Sequence, residues 1–524
     1  MSEASAAWVQ GLQNSESYPH PVDQIKLVET HISWILLTGC YAYKIKKPVK
    51  FSFVDFSTLE RRRWFCEEEV RLNRRLAPDV YLGIVPITGS PSHPRMDGSG
   101  PPFEFAVKMK QFSSASEIHG ILNSKETAEP FIQELAENIA RFHGQIEQAG
   151  EEVPSGNPDM VWRPVGECLD EMPLDRLTQN ARKQLGLIER GLLEEWRNMS
   201  AIFRQRKRSD YVRECHGDLH LGNIAMFEGK VCVFDALEFE PRLRWIDVMS
   251  EVAFLVMDLE KYGRQDLAYL FLNRYLELTG DYEGLRVLKF YKVYRALVRA
   301  KVAGLRLAQL AERGVEEEKA KGELIGYVEL AHRFMACVSP SLILMHGVSG
   351  TGKTTVSTEI LKTIGAIRVR SDVERKRLFA ETLKSKTPVP QDAGLYHSDM
   401  TARTYEQLRD LARMLLQTGF LVIIDATFLR QSQRELFRRL AKQQGCEWVI
   451  VDVFAPQAVL AERIELRSRE GRDASDATVE IMERQQQTDE SFTQEEEPNV
   501  IRVNSMDPQS ILSALEDIKK KIGF

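Results

Sequence analysis

Gly347-Val348-Ser349-Gly350-Thr351-Gly352-Lys353-Thr354 fits the spacing G-x-x-x-x-G-K-[ST]. It lies between the apolar run Ser341-Leu342-Ile343-Leu344-Met345-His346 and a segment of helical periodicity, the strand–loop–helix context that the motif requires. Glycines let successive backbone N–H groups turn inward around a phosphate, and the start of a helix adds partial positive charge. Lys353 then reaches the β- and γ-phosphates, and the Thr354 hydroxyl meets a magnesium ion. Gly347, Ser349, Gly350, Thr351, Gly352, Lys353, Thr354 and Thr355 are the expected ATP-binding residues, with Lys353 also acting in the chemistry.

Outward from this loop, apolar runs at 342–346, 366–370, 420–425, 448–454 and 499–503 alternate with helical segments. Such alternation implies an α/β domain with a five-stranded parallel sheet covered on both faces. The third run, Leu421 to Asp425, ends in an acid beside the loop, so Asp425 is the expected second magnesium ligand. Ala426 follows it, where an ATP-hydrolysing motor places a Glu base, and this favours transfer to a bound hydroxyl. Asp372, just past the second run, is the candidate base for that hydroxyl, a helix N-cap being the competing account. Arg463, Arg467, Arg469 and Arg472 cluster where a lid would bring guanidinium groups over the transferring phosphoryl, and Arg463 and Arg467 share a helix face.

The first two thirds read differently. Strand-like segments over 34–56, a charged helical stretch over 58–76 and strands at 81–87 and 103–110 form a small β-rich lobe, about 20–112, with 91–102 read as a loop. Helical periodicity then dominates at 129–150, 174–208 and 264–334, with strands near 224–235, giving a helical lobe of about 113–338. Ser339-Pro340-Ser341 breaks the pattern, so the expected domains are 1–338 and 339–524.

Within the helical lobe, His216-Gly217-Asp218-Leu219-His220-Leu221-Gly222-Asn223 has the spacing H-x-D-x-x-x-x-N, followed by strands ending at Asp235. In phosphoryl transfer one Asp accepts the hydroxyl proton while an Asn and a second Asp hold metal; Asp218, Asn223 and Asp235 take those roles. A lysine on a small-lobe strand should pair with a helical Glu. Lys44 is the favoured lysine, with Lys46 on the same strand face as alternative, and Glu69 the matching acid, with Glu68 adjacent.

Through Lys44, Glu69, HGDLHLGN and Asp235, residues 30–335 resemble the aminoglycoside phosphotransferase and choline kinase superfamily, departing from the protein-kinase pattern in having Leu37-Thr38-Gly39-Cys40 and no G-x-G-x-x-G before the lysine strand. The resemblance implies a bilobal α+β protein-kinase-like fold and transfer to a hydroxyl of a small molecule, an aminoglycoside-like compound or a sugar. A cationic acceptor would want carboxylates, and Glu238, Glu240, Asp247 and Glu251 follow Asp235 closely, Asp247 serving equally as a helix cap. Residues 340–524 resemble small P-loop kinases of the polynucleotide-kinase-like and zeta-toxin-like groups, through GVSGTGKTT, RSDVERKR, IIDATF and the Arg-rich lid. That likeness implies Thr427 and Arg434 near the acceptor, which would be a nucleoside, a nucleic-acid 5′ end or a small molecule.

The whole reads as a bifunctional kinase using ATP and Mg2+, the alternative being an N-terminal nucleotide-sensing module that controls the P-loop enzyme. Composition supports soluble globular domains: 43% hydrophobic and 28% charged over 524 residues, more than one core can serve. A net charge of −6 without a long basic block excludes bulk electrostatic attraction to nucleic acid. The seven cysteines contain no C-x-x-C pair, so no zinc cage or disulfide framework is expected. With neither a leader-like start nor an apolar run of about 18 residues, the expected location is the cytoplasm, with no membrane partner.

Overall fold

A computed structural model of the chain describes residues 8–51, 54–112, 116–310, 315–336, 338–384, 398–470 and 478–524. The chain divides into two compact units, one of Met1–Asp258 with Phe290–His332 and one of Leu259–Lys289 with Arg333–Phe524. No described helix is long and apolar enough to cross a membrane.

Unit 1 is bilobal. Its small lobe runs β1 (Lys26–Glu29), β2 (Ser33–Leu37), β3 (Tyr41–Lys46), helix α1 (Leu59–Asn73), β4 (Tyr81–Ser90), β5 (His93–Met96) and β6 (Glu104–Lys110). The strands form one antiparallel sheet in the order β1-β2-β3-β6-β4-β5. The Thr58 side chain caps α1 by accepting from Arg61 N–H. Part of the 91–102 segment expected to be loop is strand β5: Pro94 has no N–H to give, and β5 lies at the sheet edge, where none is required.

The other lobe is built on helices Lys125–Gln145, Pro158–Asp170, Gln179–Arg208, Val248–Lys261 and Leu285–Gln309. It carries the hairpin β7 (Ile224–Phe227) and β8 (Lys230–Val233), whose two-residue turn, Glu228-Gly229, has positive φ at both positions (49° and 76°) as a type I′ turn demands.

Unit 2 begins with helix α2 (Gln265–Thr279). It continues through β9 (Ser341–His346), α3 (Lys353–Ile364), β10 (Ile367–Arg370), α4 (Ser371–Lys384), α5 (Ser398–Gln417), β11 (Leu421–Asp425), α6 (Gln431–Gln444), β12 (Glu447–Phe454), α7 (Gln457–Glu470), α8 (Val479–Gln487), β13 (Val500–Asn504) and α9 (Pro508–Ile522). The five strands are all parallel, in the order β10-β11-β9-β12-β13, and every residue of β9 is buried, which is why that strand reads as an unbroken apolar run. The five expected strands are all present.

Helix α2 packs with this sheet, whereas the sequence places 264–334 entirely in the helical lobe before residue 339. Tyr269 packs on the core that Ile360, Leu361, Ile364 and Ile423 form. The Asn273 amide closes the edge of β10 as another strand would: its Nδ2 donates to Ala366 O (2.9 Å) and its Oδ1 accepts from Arg368 N–H (2.6 Å). Periodicity records that a segment is helical and amphipathic, but not which sheet it will cover.

Candidate functional site

In unit 2 the loop after β9 folds as its glycines dictate. Gly347 has φ 130°, and a Cβ there would stand 2.4 Å from Val453 O, so no other residue fits. Gly352, at φ 92°, caps α3 and leads straight into Lys353. The Lys353 ammonium donates to Gly347 O and Val348 O, both at 2.8 Å. Thr351 is turned inward, its hydroxyl donating to Val348 O (2.9 Å). Thr354 Oγ1 donates to Asp425 Oδ2 at 3.0 Å, and Ser357 Oγ to the same oxygen at 3.3 Å.

A cavity of about 510 Å³ opens over this loop. Ser349, Gly350, Lys353, Thr354, Thr355 and Asp425 line it, as do Asp372 and Arg463. Asp372 stands in the first turn of α4, where Arg375 Nη1 meets its Oδ1 at 3.2 Å. Arg463 donates to Gly350 O (3.3 Å) and Ser505 Oγ (3.0 Å), which fixes it beside the phosphate loop. The side chains of Arg467 and Arg469, and Arg472, lie outside the described residues. Thr427 lines the cavity, but Arg434 is fully buried and pairs with Glu496 (2.9 Å), so it braces the fold instead of facing an acceptor. Gln485 of α8, whose Oε1 accepts from Ser349 N–H (2.8 Å), and Arg370, Arg375, Tyr405 and Arg430 join the site without having stood out in the sequence. Arg370, Arg375 and Arg430 were findable as cations next to strand ends; Tyr405 and Gln485 carry no such signal.

In unit 1, Lys44 on β3 lies 2.8 Å from Glu69 Oε1 on α1 and 2.5 Å from Asp235 Oδ1. Lys46 takes the other oxygen of Glu69 (2.7 Å) and also pairs with Glu238. Both lysines therefore serve Glu69, but Lys44 is the one that reaches Asp235. Burial alone would raise the Glu69 carboxyl; the two ammonium groups outweigh it and hold Glu69 well below the usual carboxylate range. Asp235 itself sits at φ 65°, a left-handed conformation, with its N–H on Tyr81 Oη (3.2 Å) and the next N–H on Asn73 Oδ1 (2.9 Å).

The loop 216–223 is tied to the segment around Asp235 by Phe234 N–H to Asn223 O (3.0 Å) and Leu237 N–H to His216 O (3.0 Å). His216 Nε2 faces Phe234 O (2.9 Å), so that nitrogen carries the proton, and burial lowers the imidazole pKa, keeping the ring neutral. Asn223 Nδ2 donates to both Asp218 O and Asp218 Oδ2 (2.9 Å each). His220 Nδ1 accepts from Gly222 N–H (3.0 Å), which leaves the proton on Nε2, 3.4 Å from Asp218 Oδ2. Burial pushes the Asp218 carboxyl up, yet His220, His216 and Arg299 more than offset it and hold it below its ordinary value. Two turns of helix Val248–Lys261 supply Glu251 to Gly217 N–H (2.8 Å) and Asp258 to Leu221 N–H (2.9 Å), so the loop's backbone is held by carboxylates.

The acids expected to greet a cationic acceptor are committed elsewhere. Glu238 pairs with Lys46, Glu240 with Arg242 (2.8 Å), Asp247 with Arg206 (2.6 Å) and Glu251 with His143 (3.2 Å). Asp247 also caps the helix at Val248 by accepting from Met249 N–H (2.9 Å). Buried carboxylates require such partners, and the charges close after Asp235 are spent on the fold.

A bilobal unit and a P-loop α/β unit thus stand in one chain. Residues 342–491 match the model of a family described as AAA domain. An uncharacterized protein of Mycobacterium tuberculosis (strain ATCC 25618 / H37Rv) is 31% identical over 465 residues, 88% of this chain and 90% of its own length. One of Mycobacterium bovis matches equally, and the chain belongs to the same family as these proteins. Among solved structures, a choline/ethanolamine kinase family protein from Mesorhizobium loti is 10% identical, covering 63% of this chain and 99% of that one at a TM-score of 0.34. A gluconokinase from Sinorhizobium meliloti 1021 is 19% identical, covering 36% of this chain and 98% of that one at a TM-score of 0.27.

Proposed function

We propose that the chain is a bifunctional ATP-dependent phosphotransferase, each unit moving the γ-phosphate of ATP to a hydroxyl. The observation that carries the reading is that each unit brings a phosphate-gripping lysine and oxygen ligands for a metal into one neighbourhood: Lys44 with Asp235 at 2.5 Å, and Lys353 on the loop that Thr354 and Asp425 close at 3.0 Å. Thr354 with Asp425, and Asn223 with Asp235, offer oxygen donors alone, the set that suits a hard cation such as Mg2+. Held by Thr354 and Asp425 in unit 2, or by Asn223 and Asp235 in unit 1, magnesium would offset the charge of the polyphosphate.

In unit 2, loop amides and Lys353 hold the triphosphate while Asp372 takes the proton of the acceptor hydroxyl. The acceptor oxygen bonds to the γ-phosphorus, the bond from that phosphorus to the β–γ bridging oxygen breaks, and ADP leaves. In unit 1, Lys44, oriented by Glu69, grips phosphate, Asp218 is the base, and Asn223 keeps its carboxylate in place; the acceptor is a small molecule. The location that fits such substrates is the cytoplasm.

Transfer from radiolabelled ATP to a hydroxyl panel tests this on the intact protein. Asp218→Asn and Lys353→Ala should each abolish a different set of products by ~10²–10⁴-fold, and the double variant both sets. One variant that removes every product, or neither removing any, overturns two independent activities.

A second reading treats unit 1 as a nucleotide sensor, because β1 and β2 are joined by Thr30-His31-Ile32, without the glycines that cover phosphates in protein kinases. Tight magnesium-dependent ATP binding by Lys353→Ala protein, without transfer to any hydroxyl, favours it.

A further inference from the structure

Helix α8 is seated on the phosphate loop and on the strand that leads into it. Met482 packs with Val348 of the loop and with Leu429, Leu460 and Ile464 in a small buried cluster of its own. Gln485, three residues on and so on the same helix face, accepts from Ser349 N–H through Oε1 (2.8 Å). Asp489, just past the helix, meets Nε2 of His346 (3.2 Å), the last residue of β9, whose Nδ1 faces Asp452 (2.8 Å). The chain then crosses to the β11 side. There Glu490 N–H donates to Leu429 O (2.9 Å), and the Glu490 carboxylate accepts from Gln431 N–H (2.6 Å). Gln485 is thus held between the loop that takes the phosphates and the segment after β11, and it lines the cavity that both share.

A carboxamide has an acceptor end and a donor end. The N–H of Ser349 needs an acceptor, so the oxygen of Gln485 faces it, and the Nε2 group, at the other corner of a planar amide, is turned away. Among the described residues, Nε2 donates to nothing. The peptide unit that Gln485 holds by its N–H is held at its carbonyl, Val348 O, by the Lys353 ammonium (2.8 Å). That ammonium marks the β–γ end of a bound triphosphate, so the unused donors of Gln485 belong to the same end.

We propose, on the reading of unit 2 as an ATP-dependent phosphotransferase, that Gln485 is a catalytic residue of the P-loop site: anchored at Oε1 by Ser349 N–H, it donates from Nε2 to the γ-phosphoryl group of ATP and turns that group toward the acceptor hydroxyl at Asp372. Gln485 brings no charge and takes no proton. Lys353 offsets charge, whereas Gln485 fixes direction, because its own carboxamide is already oriented by the loop before ATP arrives. The bonds made and broken in the transfer stay as given for unit 2.

The test uses the full-length protein with Mg2+ and compares ADP with the β,γ-imido analogue of ATP, which carries the additional γ-phosphoryl group. Hydrogen exchange in peptides from Ser341 to Val356, followed as each ligand is titrated, reads the affinity of this loop alone, whatever unit 1 binds. Gln485→Met keeps the length of the side chain but neither accepts nor donates. Gln485→Glu keeps an acceptor for Ser349 N–H, loses the donor and adds a charge opposed to phosphate. The preference for the analogue over ADP should fall ~10-fold in Gln485→Met and ~100-fold in Gln485→Glu, the range of a hydrogen bond to a charged group. A preference unchanged in both variants overturns the inference. A loss in Gln485→Glu alone does so too, since repulsion needs no donor, as does an equal loss for both ligands, which would leave Gln485 merely holding the loop. If neither ligand protects the loop of the unaltered protein, or if protection survives Lys353→Ala undiminished, the phosphotransfer reading of unit 2 falls instead.

Discussion

Lys44 and Lys353 are proposed to do the same work, yet they live in opposite surroundings. Lys44 is wedged between the carboxylates of Glu69 and Asp235, with Lys46 behind it on Glu69 and Glu238. Lys353 donates to two carbonyls of its own loop. In unit 1 the charges of the site are part of the small lobe's interior, while in unit 2 the site is a shape taken by the backbone. Electrostatic substitutions should therefore damage the first as a fold and the second only as a site.

The largest difference is expected at Lys46. Lys46→Met strands Glu238 and leaves Glu69 to Lys44 alone, both acids being almost inaccessible to water, and breaking a buried pair from one side costs ~3–5 kcal/mol. Lys353→Met removes the donor from Gly347 O and Val348 O beside the cavity and should cost less than ~1 kcal/mol. Denaturant-dependent hydrogen exchange, read separately on β3–α1 peptides and β9–α3 peptides, measures both. Equal losses would dissolve the contrast.

A smaller effect should fall on unit 2 from outside its motif. Glu277 holds Arg368 at 2.8 Å and steadies Arg370, so Glu277→Ala should destabilise unit 2 by ~2–3 kcal/mol, less than at Lys46 because Arg370 can turn to the water of the cavity. The same exchange experiment on β10 peptides checks it. No change would make α2 a passenger, and a chain cut at 339 would then keep its full stability; with α2 integral, that cut removes the Asn273 amide from the β10 edge.

This contrast also explains what could be read in advance. The P-loop is eight consecutive residues whose glycines and lysine dictate their own geometry, and the buried parallel strands leave unbroken apolar runs, so fold and loop of unit 2 were legible. The spacing of Asp218, Asn223 and Asp235 was legible for the same local reason. The pairing of Lys46 with Glu238 spans 192 residues, and nothing local marks Glu238 as taken. Three acids near Asp235, Glu238, Glu240 and Glu251, read as acceptor contacts because their partners, Lys46, Arg242 and His143, are supplied mostly by distant segments. Arg434 read as a substrate contact for the same reason: Glu496, 62 residues on, claims it. Packing partners, unlike periodicity, are a property of the assembled chain.

The finest distinction concerns the two bases. Asp218 faces the His220 Nε2–H at 3.4 Å and accepts from Asn223 Nδ2 at 2.9 Å, its carboxyl depressed below the ordinary aspartate value despite burial. A depressed carboxyl contributes stability that is complete above its unfolded pKa of about 3.9 and is lost as pH falls through the lower folded value. The unit 1 reaction, isolated in Lys353→Ala protein, should accordingly keep its rate on the acid side to below the pH at which a free aspartate is half protonated, until the fold itself gives way. His220→Ala removes the Nε2–H donor 3.4 Å from Asp218, so burial weighs more and the acid limb of kcat/KM moves to higher pH. Asp372 has Arg375 in place of a histidine, and the P-loop reaction, isolated in Asp218→Asn protein, should show no such movement. A unit 1 acid limb that stays fixed when His220 is removed would mean that the imidazole only shapes the loop through Gly222, and that Asp218 owes its ionisation to its other neighbours.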